Sequence, residues 1–214
     1  NQIFLDKSIQ EFLPEVLRDG GLSPDDFELR LSGSYPAREY VCQYNQSHYD
    51  FAAFWMERDG LYFYFDHDAG GKMVVTDSLS AHKPLELAPT LRYAPPAMGA
   101  GKRFDALDAF SMRQQAQPRQ VLVRDYNPET PSAEVRGEAR ACEHGFGRVY
   151  DFADNAKNSS EAAHLAKVRA DAFACRERVF EGEGEGPVRP GSTFTLQGHF
   201  RDDFNRSYLV TGVE

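Results

Sequence analysis

Between Tyr40 and Phe65 the chain reads YVCQYNQSHYDFAAFWMERDGLYFYF, ten aromatic residues in twenty-six positions, with the only tryptophan, Trp55, among them. The apolar rhythm of this stretch changes twice. REYVCQY alternates like a strand, with Tyr40, Cys42 and Tyr44 on one face. Ser47 then caps a helix to about Arg58, closed by Asp59-Gly60, in which Phe51, Phe54 and Trp55 form one aromatic face. LYFYFDH returns to strand alternation. Leu61, Phe63 and Phe65 share one side, and Tyr62, Tyr64 and Asp66 the other. Asp68-Ala69-Gly70-Gly71 turns the chain into KMVVTDS, a hairpin partner. Periodicity therefore assigns the phenylalanines and Trp55 to a core between helix and hairpin. Tyr62 and Tyr64 point away from it. A ring with a polar tip on an outward face suits a subunit contact, or a sheet face covered by a loop of the same chain.

Elsewhere the local signals are strong in places and weak in others. Ser8-Ile9-Gln10-Glu11 is a capping-box pattern followed by Ile9, Phe12, Leu13 and Val16 at helical spacing. Pro14 lies inside that pattern and predicts a kink or a division there, and Gly20-Gly21 a stop. FELRLS (27–32) reads as a short strand. The proline- and glycine-rich text of 83–101 reads as a linker or crossing loop. A strand is expected at 105–115, and a buried one around Val121-Leu122-Val123 in RQVLVRDYN. The polar segment 127–147 reads as turn-rich, with an exposed loop. A long helix starts at Ser159 or Ser160, with Ala162, Leu165, Ala166 and Phe173 in helical spacing. RVFEGEGEG, STFTLQG and YLVTGV supply late strands.

Composition narrows the function classes. A net charge of -9 argues against a general nucleic-acid binder, which needs basic surface to displace counterions. No apolar run approaches the roughly 20 residues of a membrane-spanning helix. The chain opens on Asn1 without a signal-peptide pattern, and the expectation is a piece of a longer protein. Cys42, Cys142 and Cys175 are dispersed and odd in number, which is neither a disulfide framework nor a zinc motif.

Candidate chemistry is sparse. Gly182-Glu183-Gly184-Glu185-Gly186 has glycine spacing, but its glutamates would repel a phosphate, and turn glycines are expected instead. Asp66 and Asp68 share a strand face beside a turn, where backbone requirements alone account for such residues. Two carboxylates of a hydrolase can be assembled in space, so that reading stays open. The histidines His48, His67, His82, His144, His164 and His199 never pair at i, i+2 or i, i+4, so metal-ligand spacing is absent. No catalytic residue, cofactor or metal ligand is assigned, and no enzyme activity is expected.

Three segments together resemble the base module of the VgrG family, the spike proteins of type VI secretion systems. Ser34 to Ser78 resembles the family's Tyr-Pro-x-Arg-Glu-Tyr start, its Gln-Tyr, the Asp-Phe that opens a helix, Glu-x-x-Gly-x-Tyr-x-Tyr-Phe and a closing Asp-Ser. RQVLVRDYNPETP (119–131) is similar to its strand and Asp-Tyr-x-x-x-x-Pro. From Ala163 onward the chain matches the long helix, Gly-Glu-Gly, Arg-Pro-Gly-x-x-Phe-x-Leu-x-Gly-His and Tyr-Leu-Val-Thr. Phe54-Trp55 departs from the aliphatic stretch usual in the family. The family's first barrel domain is expected before Asn1, and its needle after Glu214.

The resemblance implies a structural role. It implies a homotrimer whose β-barrel domains form a pseudo-sixfold ring similar to the hub of contractile-phage baseplates. It also implies that the spike sits on the Hcp tube hexamer, contacts secretion baseplate proteins, assembles in the cytoplasm and is fired toward a target cell. The expected fold is α+β, a β-barrel-like hub domain plus a small helix and hairpin module. The expected partition is 1–80 for that module, 81–102 for a linker and 103–214 for the hub domain with one long helix. Tyr62 and Tyr64 are the candidate subunit contact. A phage tail hub, a secreted hydrolase domain and a carbohydrate-binding domain are the alternatives.

Overall fold

The computed structural model describes residues 1–95, 103–152 and 154–214. It separates into two compact units. Unit 1 holds Asn1–Glu57, Leu61–Phe110 and Gly182–Glu214, and unit 2 holds Arg58–Gly60 and Ser111–Glu181.

Unit 1 begins with β1 (Gln2–Lys7) and α1 (Ile9–Asp19). The Glu11 carboxylate accepts from the Ser8 backbone N–H and hydroxyl, each at 2.8 Å, and so ties the helix to the residue that caps it. Pro14 is accommodated within a single helix. The stop needs a glycine at one position. Gly21 has φ 103°, its N–H reaches the Arg18 carbonyl at 2.9 Å, and the Leu22 N–H reaches Leu17 at 3.1 Å. This 6→1 and 5→2 pairing satisfies carbonyls that the helix end leaves open.

β3 (Arg38–Gln43) runs antiparallel to β1 with Ile3 opposite Cys42 and Leu5 opposite Tyr40. The inward residues Phe4 and Val41 join Ile9, Phe12, Leu13 and Val16 of α1 in one core. α2 (His48–Asp59) adds Phe51, Ala52 and Met56. Its first turn is capped by Ser47, whose hydroxyl accepts from the Asp50 N–H at 3.0 Å. The Phe12 ring stands 6.1 Å from Phe51 and edge-on to Trp55 at 5.7 Å, arrangements that aromatic quadrupoles favour. β2 (Phe27–Arg30), β4 (Tyr62–Asp66) and β5 (Lys72–Thr76) form a sheet in the order β2-β5-β4, parallel then antiparallel.

Two expectations for this region need correction. Phe54 and Phe65 are exposed, at 55% and 48%, and do not fill the core. α2 turns Phe51 and Met56 inward, and Phe54 leans edge-on against Trp55 at 5.4 Å. Phe65 lies one residue before the end of its strand, at the rim of the sheet.

The segment expected as a linker, 81–102, is also corrected over its described part. It contributes β6 (Lys83–Pro84) and β7 (Thr90–Tyr93), both parallel to β14 (Ser192–Gln197). β8 (Ala106–Leu107) and β15 (Ser207–Leu209) complete that five-stranded sheet. Residues 96–102 of the expected linker lie outside the described residues. The compact units thus follow a different division of the chain from the one expected at residues 80 and 103.

The chain passes between units through β9 (Ala109–Gln114) and β13 (Arg178–Glu183), which pair with each other. Unit 2 is otherwise a three-stranded sheet under a helix. β10 (Gln120–Asp125) lies between β11 (Val135–Arg140), antiparallel, and β12 (Arg148–Phe152), parallel. α3 (Ser159–Glu177) is capped by Asn158, whose side chain accepts from the Glu161 N–H at 3.0 Å. It packs Ala162, Leu165, Ala166 and Ala170 onto Val121, Val123 and Val135.

β11 corrects the turn-rich reading of 127–147. Its inward residue Gly137 lies so near the helix that a Cβ there would stand 2.1 Å from the Ala163 backbone nitrogen. Small inward residues, required by that approach, hid the strand's periodicity.

Candidate interaction surfaces

The aromatic face of β4 that pointed away from the expected core is partly covered by its own chain. Tyr64 is half-buried. Its hydroxyl donates to the Ala81 carbonyl at 2.9 Å and accepts from Arg30 Nη1 at 3.3 Å. Its ring lies 4.6 Å from the His82 ring and directly against Gly191, whose φ is 83°. Tyr62 sits at the rim, 36% exposed, with its ring stacked on His82 at 5.7 Å and its hydroxyl 3.0 Å from His82 Nε2. The other ring nitrogen of His82, Nδ1, lies 2.8 Å from the Gly191 carbonyl oxygen. His82 thus fastens the loop around Gly191 to β4. Sequence reading gave His82 only as one of six histidines outside metal-ligand spacing, because its partners are distant along the chain.

Beside this cluster is a shallow cleft that includes Tyr64, Asp66, Asp68, Lys83 and Arg189. Asp66 uses one oxygen to cap the turn after β4, accepting the N–H groups of Asp68 and Ala69 at 3.2 and 3.3 Å. Its other oxygen lies 3.6 Å from Lys83 Nζ and 4.0 Å from Arg30 Nη2. Asp68 forms an ion pair with Arg189. The two aspartates considered for acid–base chemistry are therefore each engaged by cations or by a turn, and both have structural work.

A third carboxylate organises the neighbouring loop. Asp77 accepts from the Ser32 N–H at 2.9 Å, the Gly33 N–H at 2.6 Å, and the Ser32 and Tyr35 hydroxyls at 2.8 Å each. Burial pushes this carboxyl up, but the donors outweigh it and hold the group at about 2.

The remaining candidates are dispersed. Among the described residues, no group of three His, Cys, Asp or Glu side chains is placed to hold a metal ion. Cys42 is half-buried on β3, Cys142 is buried, with its thiol pushed up by desolvation and by Glu177, and Cys175 is exposed on α3. His199 is buried, its Nδ1 accepting from the Arg201 N–H at 3.1 Å, with Tyr93, Phe200 and Phe204 against its ring. The glycines at 182–186 do not form a phosphate cradle. A Cβ at Gly184 would stand 2.5 Å from the Ala106 carbonyl oxygen, so close backbone approach accounts for that glycine. No helix among the described residues is long and apolar enough to cross a membrane.

The described residues form small sheets and three α-helices, with Asp66 and Asp68 committed to a turn and to ion pairs, and this scaffold is an α+β protein of the phage-tail hub type. The fold has the same form as the c3393 protein of E. coli, described as a component of the type VI secretion system with structural similarity to the T4 tail proteins gp27 and gp5. The TM-score is 0.62 at 17% identity, over 97% of this chain and 44% of that one. The 43 kDa tail protein of prophage MuSo2 from Shewanella oneidensis superposes with a TM-score of 0.60 at 10% identity, over 92% of this chain and 58% of that one.

The chain belongs to the phage tail baseplate hub (GPD) family, which matches residues 1–214. Among its relatives is the type VI secretion system spike protein VgrG1a of Pseudomonas aeruginosa, 33% identical across the whole of this chain. VgrG1b of the same organism is 32% identical over the same span. The actin cross-linking toxin VgrG1 of Vibrio cholerae is more distant, at 24% identity. The chain spans 33% of the length of VgrG1a, 29% of VgrG1b and 20% of the toxin.

Proposed function

We propose that this chain is a structural adaptor, the base module of a trimeric type VI secretion spike seated on a hexameric Hcp tube. The observation that carries the reading is the match to VgrG spike proteins along the entire chain, together with the hub-type fold. The structure is physically compatible with such a role. A rigid adaptor needs broad protein contacts, and cyclic assembly lets one surface patch serve in every copy. Assembly takes place in the cytoplasm with baseplate proteins, and the spike then leaves the cell toward its target. The module works without catalysis. The engagement of Asp66 and Asp68 by Lys83, Arg30 and Arg189 supports that part of the reading.

Tyr62 belongs to the subunit-facing surface in this reading, and Tyr64 holds it in place from within. The test is co-sedimentation of the chain with purified tube hexamers. Three copies bound per hexamer is the expected result. Tube hexamers that sediment alone at every concentration of the chain overturn the adaptor role. A phage tail hub is the second reading, favoured by the family description and by the fold of the MuSo2 tail protein. Neighbouring genes separate the two: sheath, tube and ATPase genes for a secretion cluster, capsid and terminase genes for a phage.

A further inference from the structure

The two-stranded sheet of β1 and β3 carries large apolar or aromatic side chains on both faces. Its inner face places Phe4 and Val41 in the core of unit 1. Its outer face presents Ile3 and Leu5 from β1, each 59% exposed, and Tyr40 from β3, also 59% exposed. Tyr44, one residue beyond the end of β3, continues the same alternation and is 76% exposed. The register sets Leu5 opposite Tyr40 and Ile3 opposite Cys42, so these side chains form one contiguous patch.

An antiparallel sheet with one face in water normally alternates apolar and polar residues. Here Ile3, Leu5 and Tyr40 put apolar and aromatic side chains on the solvent side, although the inner face already packs through Phe4 and Val41 into the core with α1. We propose that a second copy of this chain covers the outer face of β1 and β3, making it a subunit contact of the spike base. This rests on the trimeric reading above and adds a second contact surface to the one that contains Tyr62.

The area supports a partner of protein size. At these exposures the four side chains offer on the order of 400 Å² of largely apolar surface. That is the size of the largest patch on a typical monomer, where such patches are often functional. Matched by an equal patch and a polar rim, it reaches the roughly 1,000 Å² that a specific interface requires. A threefold ring makes the contact head-to-tail, so the neighbour covers β1 and β3 with a different part of its own surface.

Cys42 provides a reporter inside the patch. It is half-buried on the outer face, Cys175 is exposed on α3, and Cys142 is buried. Alkylation by a small maleimide, read by mass spectrometry, is measured from low micromolar to near-millimolar chain, with sedimentation equilibrium on the same samples. The expected result is a rise in mass to the trimer with selective protection of Cys42. With roughly nine chains in ten associated, its labelling slows about tenfold while Cys175 keeps its rate. Leu5→Lys lies on the exposed face. It should restore the dilute labelling rate and the monomer mass without changing the melting temperature.

A mass that rises while Cys42 labels at its dilute rate overturns this contact and leaves the adaptor reading standing. A monomer at every concentration, with constant Cys42 labelling, overturns self-association through this face. Tube co-sedimentation then decides the adaptor reading separately.

Discussion

The ring of Tyr64 lies directly beneath Gly191, where a Cβ would stand 2.3 Å from Tyr64 Cδ2. Gly191 also has φ 83°, a conformation that L side chains adopt at a cost. Gly191→Ala therefore meets both strain and overlap, and should destabilise unit 1 by about 2–4 kcal/mol. Tyr64→Phe keeps the ring and loses the hydroxyl's hydrogen bonds to Ala81 and Arg30, at a cost of about 1–2 kcal/mol. Thermal melts of the two variants should rank in that order. A Gly191→Ala variant with an unchanged melting temperature would mean that the loop does not rest on this ring.

Unit 2 has a tighter approach at Gly137, where a Cβ meets the Ala162–Ala163 backbone of α3 rather than a movable side chain. Gly137→Ala should cost about 3 kcal/mol or more, because the helix must lift from Val121, Val123 and Val135. Hydrogen exchange is the discriminating measurement. Amides of β10 and α3 should lose protection, while those of α1 and β3 in unit 1 keep theirs.

Asp77 makes the loop at Ser32–Tyr35 sensitive to acid. Its carboxyl is held at about 2, below its ordinary 3.8, so the folded state binds the proton less readily than the unfolded state. The stabilisation is complete above pH 3.8 and is lost as pH falls toward 2, an amount of up to about 2 kcal/mol before solvent screening is allowed for. Asp77→Asn should remove this contribution at neutral pH. The gap in stability between variant and wild type should close as pH falls through that window. A gap that stays constant from pH 6 to 2 would assign the effect to something other than Asp77 ionisation.

Pro14 sits within α1 and lacks the N–H that would reach the Gln10 carbonyl. Pro14→Ala restores that bond at some cost in unfolded-state entropy, and should raise stability by about 1–2 kcal/mol. The reverse test lies at the helix end. Gly21→Ala forces a Cβ into φ 103° and should lower stability by about 1 kcal/mol. Urea melts give both signs in one experiment.

Signals confined to a few neighbouring residues were legible. Ser8 with Glu11 marks the start of α1, Val121-Leu122-Val123 marks β10, and the Asp68–Gly71 turn marks the β4–β5 hairpin. The order of longer motifs from Ser34 to the C-terminal strands pointed to the family. β11 was not legible. VRGEAR carries Gly137 and Ala139 where an isolated strand would carry bulky residues, because α3 occupies that space. β7 was hidden by the prolines around it, and its partner β14 lies about a hundred residues further on. The candidate site was half legible: the tyrosines stood out, whereas His82 and Gly191, which cover them, had no local signature.

By itself, the sequence determined where the chain forms helices and strands with strong periodicity, and which family its motifs follow. Only the tertiary structure decided which aromatic faces are covered. In β4, and in β1 with β3, both faces carry large apolar or aromatic residues, so alternation separates the faces without ranking them. Covering Tyr64 depends on His82 and Gly191 arriving from remote parts of the chain, whereas the outer face of β1 and β3 stays exposed among the described residues. Burial is a property of what packs against a residue, and hydrophobicity sets the energy gained once that neighbour is in place.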